Sequence, residues 1–338
     1  MIRTGIIGLG KMGISHCAIL GAHPKVNLVS VCDSSALIIN AFKKYSKYEC
    51  FTDYKKMIST MKLEAIIIAS PTKFHDEMVS YALKNHIHVF CEKPFSLDPQ
   101  KGKVLFKEAI QLNLVNQVGY HNRFIGTFNE VKRLLSLNVL GQLYHFSGES
   151  YGPVVLKEKG GTWRSDRSEG GGCLYDYASH TIDLINFILG KPVKVSGTQL
   201  KLIFSKDVED AVYSNLNLES GLSGQLSVNW SDETYRKMST QISVLGKKGK
   251  IIADATELKI FLSEDNNNLG LSKGWTIKDV TSLTPNVNFY LRGEEYSSQI
   301  DYFIENILAK RTGNKSSFKD ATETDEIIQL LLKDATSK

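Results

Sequence analysis

Ile2-Arg3-Thr4-Gly5-Ile6-Ile7-Gly8-Leu9-Gly10-Lys11-Met12-Gly13 is the stretch on which the fold turns. Ile2 to Ile7 reads as a short buried strand. Gly8, Gly10 and Gly13 follow in G-x-G-x-x-G spacing and lead into a helical stretch, Lys11 to Leu20. Three glycines alone are weak evidence, since turns use glycine for many reasons. Between a strand and a helix they have a specific use: helix N-terminal N–H groups and the helix dipole receive a pyrophosphate. Asp33 ends the next apolar run, Leu28 to Cys32, about 20 residues beyond the last glycine, where an acid takes the ribose hydroxyls.

Outward from this loop, apolar runs and helical stretches alternate, which predicts a parallel sheet covered on both faces. A helix is predicted from Leu37 to Tyr45, and Asp53 caps a short one. Glu64 to Ala69, with its AIIIA run, reads as a buried strand ended by Pro71, and a helix follows to Asn85. Ile87 to Cys91 is the next strand, and Asp98 with Pro99 supplies an N-cap and first turn for a helix to about Asn113. Val115 to Tyr120 is read as the last strand of a Rossmann domain spanning 1–122.

After Arg123 the texture changes. A helix near Phe128 to Leu137 precedes a glycine-rich segment with Gly160, Gly161, Gly170, Gly171 and Gly172. From Lys194 to about Phe261, alternating segments read as antiparallel strands. A helical region from Tyr296 to Lys333 completes the reading. The expected fold class is α/β: an N-terminal doubly wound parallel sheet, plus a C-terminal α+β domain, 123–338, with a large, mostly antiparallel open sheet. One face of such a sheet wants a partner, so this domain is expected to bind substrate and to form a homodimer or homotetramer through the sheet.

Composition narrows the classes. The 338 residues are 42% hydrophobic and 23% charged, ordinary for globular domains. The net charge of +5 is scattered along the chain, which argues against nucleic acid as a partner. No run reaches the ~18 to 20 apolar residues of a membrane span, and Lys11 with the glycines interrupts any signal-peptide pattern. Cys17, Cys32, Cys50, Cys91 and Cys173 lack C-x-x-C pairing and read as buried thiols of a cytoplasmic protein. His16, His23, His86, His88 and His145 show no metal-ligand spacing, so no metal is assigned. As cofactor, NAD is favoured over NADP, because a carboxylate at Asp33 repels a 2′-phosphate.

Cys91-Glu92-Lys93-Pro94, then Ile68-Ala69-Ser70-Pro71-Thr72 with His75, then Gly170-Gly171-Gly172 with Asp176, His180 and Asp183, together resemble the Gfo/Idh/MocA oxidoreductase family. The resemblance touches both halves; its one departure is Ala178, where many relatives carry glycine. It implies NAD-dependent hydride transfer between nicotinamide and a hydroxyl-bearing carbon of a sugar, nucleotide sugar or cyclic polyol. It implies cofactor contacts from Gly8, Gly10, Lys11, Met12, Gly13, Asp33, Ser70, Pro71, Thr72, His75, Glu92 and Lys93, with His75 bordering the nicotinamide.

Within that frame the roles follow from chemistry. Alcohol oxidation needs a base, and imidazole titrates nearest neutrality, so His180 is the candidate base. The Lys93 ammonium would stabilise a developing alkoxide. Asp176, four positions before His180, would share its helix face and orient substrate or imidazole. Trp163 and Arg164 could close over a substrate, the arginine by its planar fork, and the resemblance implies a substrate contact from Arg123 at the domain junction. Against each stands a plainer reading: a solvated surface lysine, a core or capping histidine, a helix N-cap aspartate, ordinary loop packing. Against the whole stand a non-catalytic dinucleotide- or sugar-sensing protein of this fold, and an NAD-using epimerase or glycosidase without net redox.

Overall fold

The computed structural model describes residues 1–158, 161–291, 293–312 and 315–337; Gly160 lies outside them. The chain divides into two compact units, Met1–His121 with Asn286–Thr322, and Asn122–Pro285 with Glu323–Lys338. No helix among the described residues is long and apolar enough to cross a membrane.

In the first unit, β1 (Ile2–Ile7), α1 (Lys11–Ala22), β2 (Val26–Cys32), α2 (Ala36–Tyr45), β3 (Glu49–Phe51), α3 (Tyr54–Met61), β4 (Ala65–Ile68), α4 (His75–Lys84), β5 (His88–Cys91), α5 (Pro99–Gln111) and β6 (Asn116–Val118) succeed one another. The strands form one sheet in the order β3-β2-β1-β4-β5-β6, every pair parallel. β4 shows why its run is apolar throughout. Ile66 and Ile68 enter one core cluster with Ile7 and Val89, while Ala65 and Ile67 enter the opposite one with Ile6 and Phe90. Alternate side chains point to opposite faces and both faces are covered. Asp53 and Asp98 cap α3 and α5 as read from the sequence, Asp98 accepting the Gln100 N–H at 2.9 Å. The three-residue edge strand β3 escaped the reading because it carries too few positions to show a period.

The helical region expected from Tyr296 to Lys333 does not lie wholly in the second unit. It is two helices, α8 (Glu294–Leu308) and α9 (Phe318–Thr336), and α8 belongs to the first unit. Its apolar stripe of Ile300, Phe303 and Ile304 completes the cluster around Ile6 and Phe90, with Phe303 edge-on to Phe90 at 6.0 Å. Gln117 Nε2 donates to the Gln299 carbonyl at 2.8 Å, and the Val118 N–H to the Ser316 carbonyl at 2.8 Å. Residues 286–322 thus return to cover a sheet face that the first 121 residues leave open.

The second unit holds α6 (Gly126–Ser136), β7 (Leu143–Tyr151), α7 (Ser179–Leu189), β8 (Pro192–Lys201), β9 (Ala211–Leu218), β10 (Ser223–Asn229), β11 (Ser239–Gly246), β12 (Gly249–Asp254), β13 (Glu257–Leu262) and β14 (Gly274–Asp279). Its eight strands run in the order β14-β13-β12-β11-β7-β10-β9-β8. The pairing is antiparallel except between β7 and β10. Two strands of this sheet are missing from the sequence reading, β14 and β7, and for β7 the inward positions explain why. They are Phe146, Gly148 and Ser150, only one of them strongly apolar. Ser150 meets Thr240 Oγ1 at 2.9 Å and Thr181 Oγ1 at 2.8 Å, so this part of the interior is joined by hydroxyls.

A buried ion pair fixes α7. Arg123 reaches Asp183 through Nε and Nη2, both at 2.8 Å, and both side chains are almost wholly buried. Thr324 Oγ1 adds a third contact to Asp183 at 3.4 Å. Removing one partner of such a pair leaves an uncompensated buried charge. Asp183→Ala is therefore expected to lower the unfolding free energy by about 3–5 kcal/mol in chemical denaturation, and Arg123→Met with Asp183→Leu by clearly less; a double variant as damaged as the single would contradict this role.

Candidate active site

In the first unit the loop after β1 is drawn tight by close backbone approach. Gly8 has φ +90°, and a Cβ there would lie 2.6 Å from the Ala69 carbonyl oxygen at the end of β4. A Cβ on Gly13 would collide with the Gly8 carbonyl. Gly10, the N-cap of α1, has no heavy atom within 4 Å of where its Cβ would stand, and no side chain caps the helix. The first N–H groups of α1, at Lys11, Met12 and Gly13, thus have no side-chain cap at a positive dipole end, the arrangement that suits a pyrophosphate.

Asp33 lies just past β2, half-buried. Its Oδ2 accepts the Leu9 N–H at 2.7 Å and its Oδ1 the Ser35 N–H at 2.8 Å. A carboxylate offers about four lone-pair sites, so two remain for ribose hydroxyls while the side chain is held rigid against the glycine loop. These residues fit a dinucleotide with a free 2′-hydroxyl.

The remaining first-unit candidates gather at the ends of β4 and β5. Ser70 is half-buried, Pro71 exposed and Thr72 buried. Glu92 is 8% exposed, with its Oε1 on His16 Nε2 at 2.6 Å and its Oε2 accepting the Lys93 N–H at 3.3 Å. Burial pushes this carboxyl up, but the His16 hydrogen bond and the charges of His16 and Lys93 bring it below the usual range. Lys93 is half-buried and precedes Pro94 by a cis peptide. His75 is 1% exposed, and its ring meets the Ser70 carbonyl through Nε2 and the Pro94 carbonyl through Nδ1, both at 2.9 Å. A neutral imidazole donates through only one of these nitrogens. Burial lowers its pKa, opposed by these carbonyls.

In the second unit, Asp176 sits in a π-helical turn, Leu174–Ala178, that runs into α7, where His180 is the second residue. The sequence reading took this as regular helix; π turns are rare and concentrate at functional sites. Asp176 and His180 are 7% and 4% exposed. Arg164 Nε donates to Asp176 Oδ2 at 2.9 Å while its guanidinium stacks 4.5 Å from the Trp163 ring centroid. Arg164, Trp163 and Asp176 are thus brought together. Arg123 is not among them, its fork being committed to Asp183.

Glu209 is a site-supporting residue that sequence reasoning missed. It is buried, its Oε1 accepts the Leu174 N–H at 2.9 Å, and Arg167 Nη2 stands 3.3 Å from Oε2. Gly172, at φ +105°, leaves the space this carboxylate fills, since a Cβ there would strike it. Burial raises its pKa, against the Leu174 N–H and the Arg167 charge. The only signal was two acids, Glu209 and Asp210, directly before an apolar strand. Buried thiols proved numerous: Cys17, Cys32, Cys91 and Cys173 are buried and Cys50 partly so, with burial pushing Cys17 to about 11.

The chain is similar to known oxidoreductases. The chain is 25% identical over 288 residues to D-glucoside 3-dehydrogenase of Escherichia coli, covering 79% of this chain and 80% of that protein. It is 25% identical over 279 residues to myo-inositol 2-dehydrogenase of Thermotoga maritima, covering 80% of each. A solved levoglucosan dehydrogenase, in complex with NADH, shares the fold with a TM-score of 0.88 at 18% identity, covering 99% of this chain and 96% of that one. Residues 2–120 match the family model of an oxidoreductase family with an NAD-binding Rossmann fold, and residues 128–252 match that family's C-terminal domain. With both domains matched in order, the chain belongs to the Gfo/Idh/MocA oxidoreductases.

Proposed function

We propose that this protein is an NAD-dependent dehydrogenase that moves a hydride between nicotinamide and a hydroxyl-bearing carbon of a sugar, sugar derivative or cyclic polyol. The observation that carries the cofactor half is the Asp33 carboxylate, fixed on Leu9 beside an uncapped helix N-terminus, with acceptor sites left over. The substrate half is supported by the names of relatives that span most of both chains, a glucoside dehydrogenase and an inositol dehydrogenase.

The dinucleotide, when bound, supplies the hydride acceptor; the protein's residues handle the rest. His180 takes the hydroxyl proton as general base. Lys93 holds the oxygen and stabilises its developing charge by an ammonium fixed at a strand's carboxyl end. Asp176, with Arg164 on one of its oxygens, orients substrate or imidazole. Gly8, Gly10, Lys11, Met12 and Gly13 receive the pyrophosphate, and Ser70, Pro71 and Thr72 border the remainder of the cofactor. The open sheet of the second unit is the proposed surface for a homodimer or homotetramer.

Three measurements follow. In a panel of glucosides, glucose 6-phosphate and myo-inositol, at least one compound is expected to reduce NAD, read by NADH absorbance; firm NADH binding with no turnover on any of them would favour the sensing reading. Lys93→Met is expected to lower kcat by roughly 100-fold or more, the cost of a lost oxyanion donor, with NADH affinity nearly unchanged; near-normal turnover would remove Lys93 from the chemistry. For the parent, NADH should bind more tightly than NADPH in fluorescence titration, and Asp33→Ala should weaken NADH about tenfold and close that gap; equal binding by the parent would contradict the role of Asp33.

A further inference from the structure

Two buried histidines meet the Glu92-Lys93-Pro94 segment from different helices. His16 lies in α1, the helix behind the glycine loop, and is wholly buried against Phe90. A carboxylate only accepts, so His16 Nε2 carries the proton it donates to Glu92 Oε1. Glu92 passes the constraint on through its other oxygen, which takes the Lys93 N–H. A Cβ on Gly119 would lie 2.8 Å from that oxygen, so the glycine admits the carboxylate.

His75 acts on the far side of Lys93. It opens α4, directly after the Ser70-Pro71-Thr72 turn, with Nδ1 2.9 Å from the Pro94 carbonyl and 3.3 Å from that of Phe95; a neutral imidazole protonated at Nδ1 donates to this segment, while Nε2 lies 2.9 Å from the Ser70 carbonyl. The residue before Lys93 is therefore held by one imidazole and the residue after it by another. Each joins the helix that follows a candidate cofactor loop to the same short turn.

We infer that His16 and His75 are positioning residues, a two-sided clamp that fixes the backbone of Lys93 relative to the glycine loop and to the turn after β4. The clamp's importance for turnover rests on the role given to Lys93 above. A reacting group displaced by about 1 Å costs on the order of 100-fold in rate, so the clamp's effect falls on kcat rather than on dinucleotide affinity.

Hydrogen exchange read by mass spectrometry on the full chain tests this, together with NADH titration and turnover. His16→Leu and His75→Leu are each expected to speed exchange in residues 89–96 by about tenfold or more, a local opening rather than a global one. They should lower kcat by about 100-fold and leave NADH affinity within about threefold. His16→Gln, whose amide reaches the place of Nε2, should restore most of both; His16→Asn, one bond shorter, should not, and this pair decides the matter if a leucine variant fails to fold. Unchanged exchange at 89–96 overturns the clamp, as does acceleration spread evenly over the six-stranded sheet, or a Gln variant no better than Asn. Lys93→Met separates the two ideas. Full turnover in that variant with faster exchange in the leucine variants removes Lys93 from the chemistry and leaves the clamp standing; lost turnover with unchanged exchange does the reverse.

Discussion

No side chain fits between Gly8 and Gly13. That close contact sets the first helix against the end of the first strand, with its N-terminal N–H groups clear of any cap. A methyl group on Gly13 would push α1 off the end of β1, and one on Gly8 would push the loop off Ala69; either would disturb the place proposed for a pyrophosphate. The same crowding ties Gly8 to Ala69, so the loops after β1 and β4 are fixed to one another. Asp33 locks the third loop by taking the Leu9 N–H. What the first unit offers a dinucleotide is therefore a rigid rim, built from backbone contacts rather than from mobile side chains.

Each unit also buries polar groups against specific partners. Glu92 with His16 and His75 with the Pro94 carbonyl in the first, and Arg123 with Asp183 and Glu209 with the Leu174 N–H in the second, each place charge or strong hydrogen-bonding capacity out of water. Such groups cost stability unless satisfied. Their positions are informative: every one lies within a few residues of Lys93, Asp176 or His180 in sequence, or bonds a residue that does.

Sequence reading recovered the elements whose cause is local. The glycine spacing, the AIIIA run, and the Asp53 and Asp98 caps each owe their structure to neighbours in the chain, and all stand where they were expected. It failed where the cause is tertiary. β7 turns serine and glycine inward because α7 lies close above it, with Ile185 2.7 Å from where a Gly148 Cβ would be. α8 returns to a sheet begun almost three hundred residues earlier, and its apolar stripe cannot say which sheet it will cover. His16 and Glu92 are 76 positions apart, and nothing in either neighbourhood marks them as partners. Arg123, expected at a substrate from its place at the domain junction and the family resemblance, is the counter-ion of Asp183, 60 positions away.

The candidate site was legible to the same degree and for the same reason. Residue types that carry chemistry, a lysine before proline and an aspartate four before a histidine, are visible as letters; the groups that hold them are not. The most direct measurement of the central claim is isotopic. With glucose, glucose 6-phosphate or myo-inositol deuterated at its ring carbons, together with NAD, mass spectrometry of the reduced cofactor should show one deuterium carried from carbon to nicotinamide. Reduced cofactor without deuterium, or none formed while the dinucleotide remains bound, would contradict hydride transfer from a carbinol carbon.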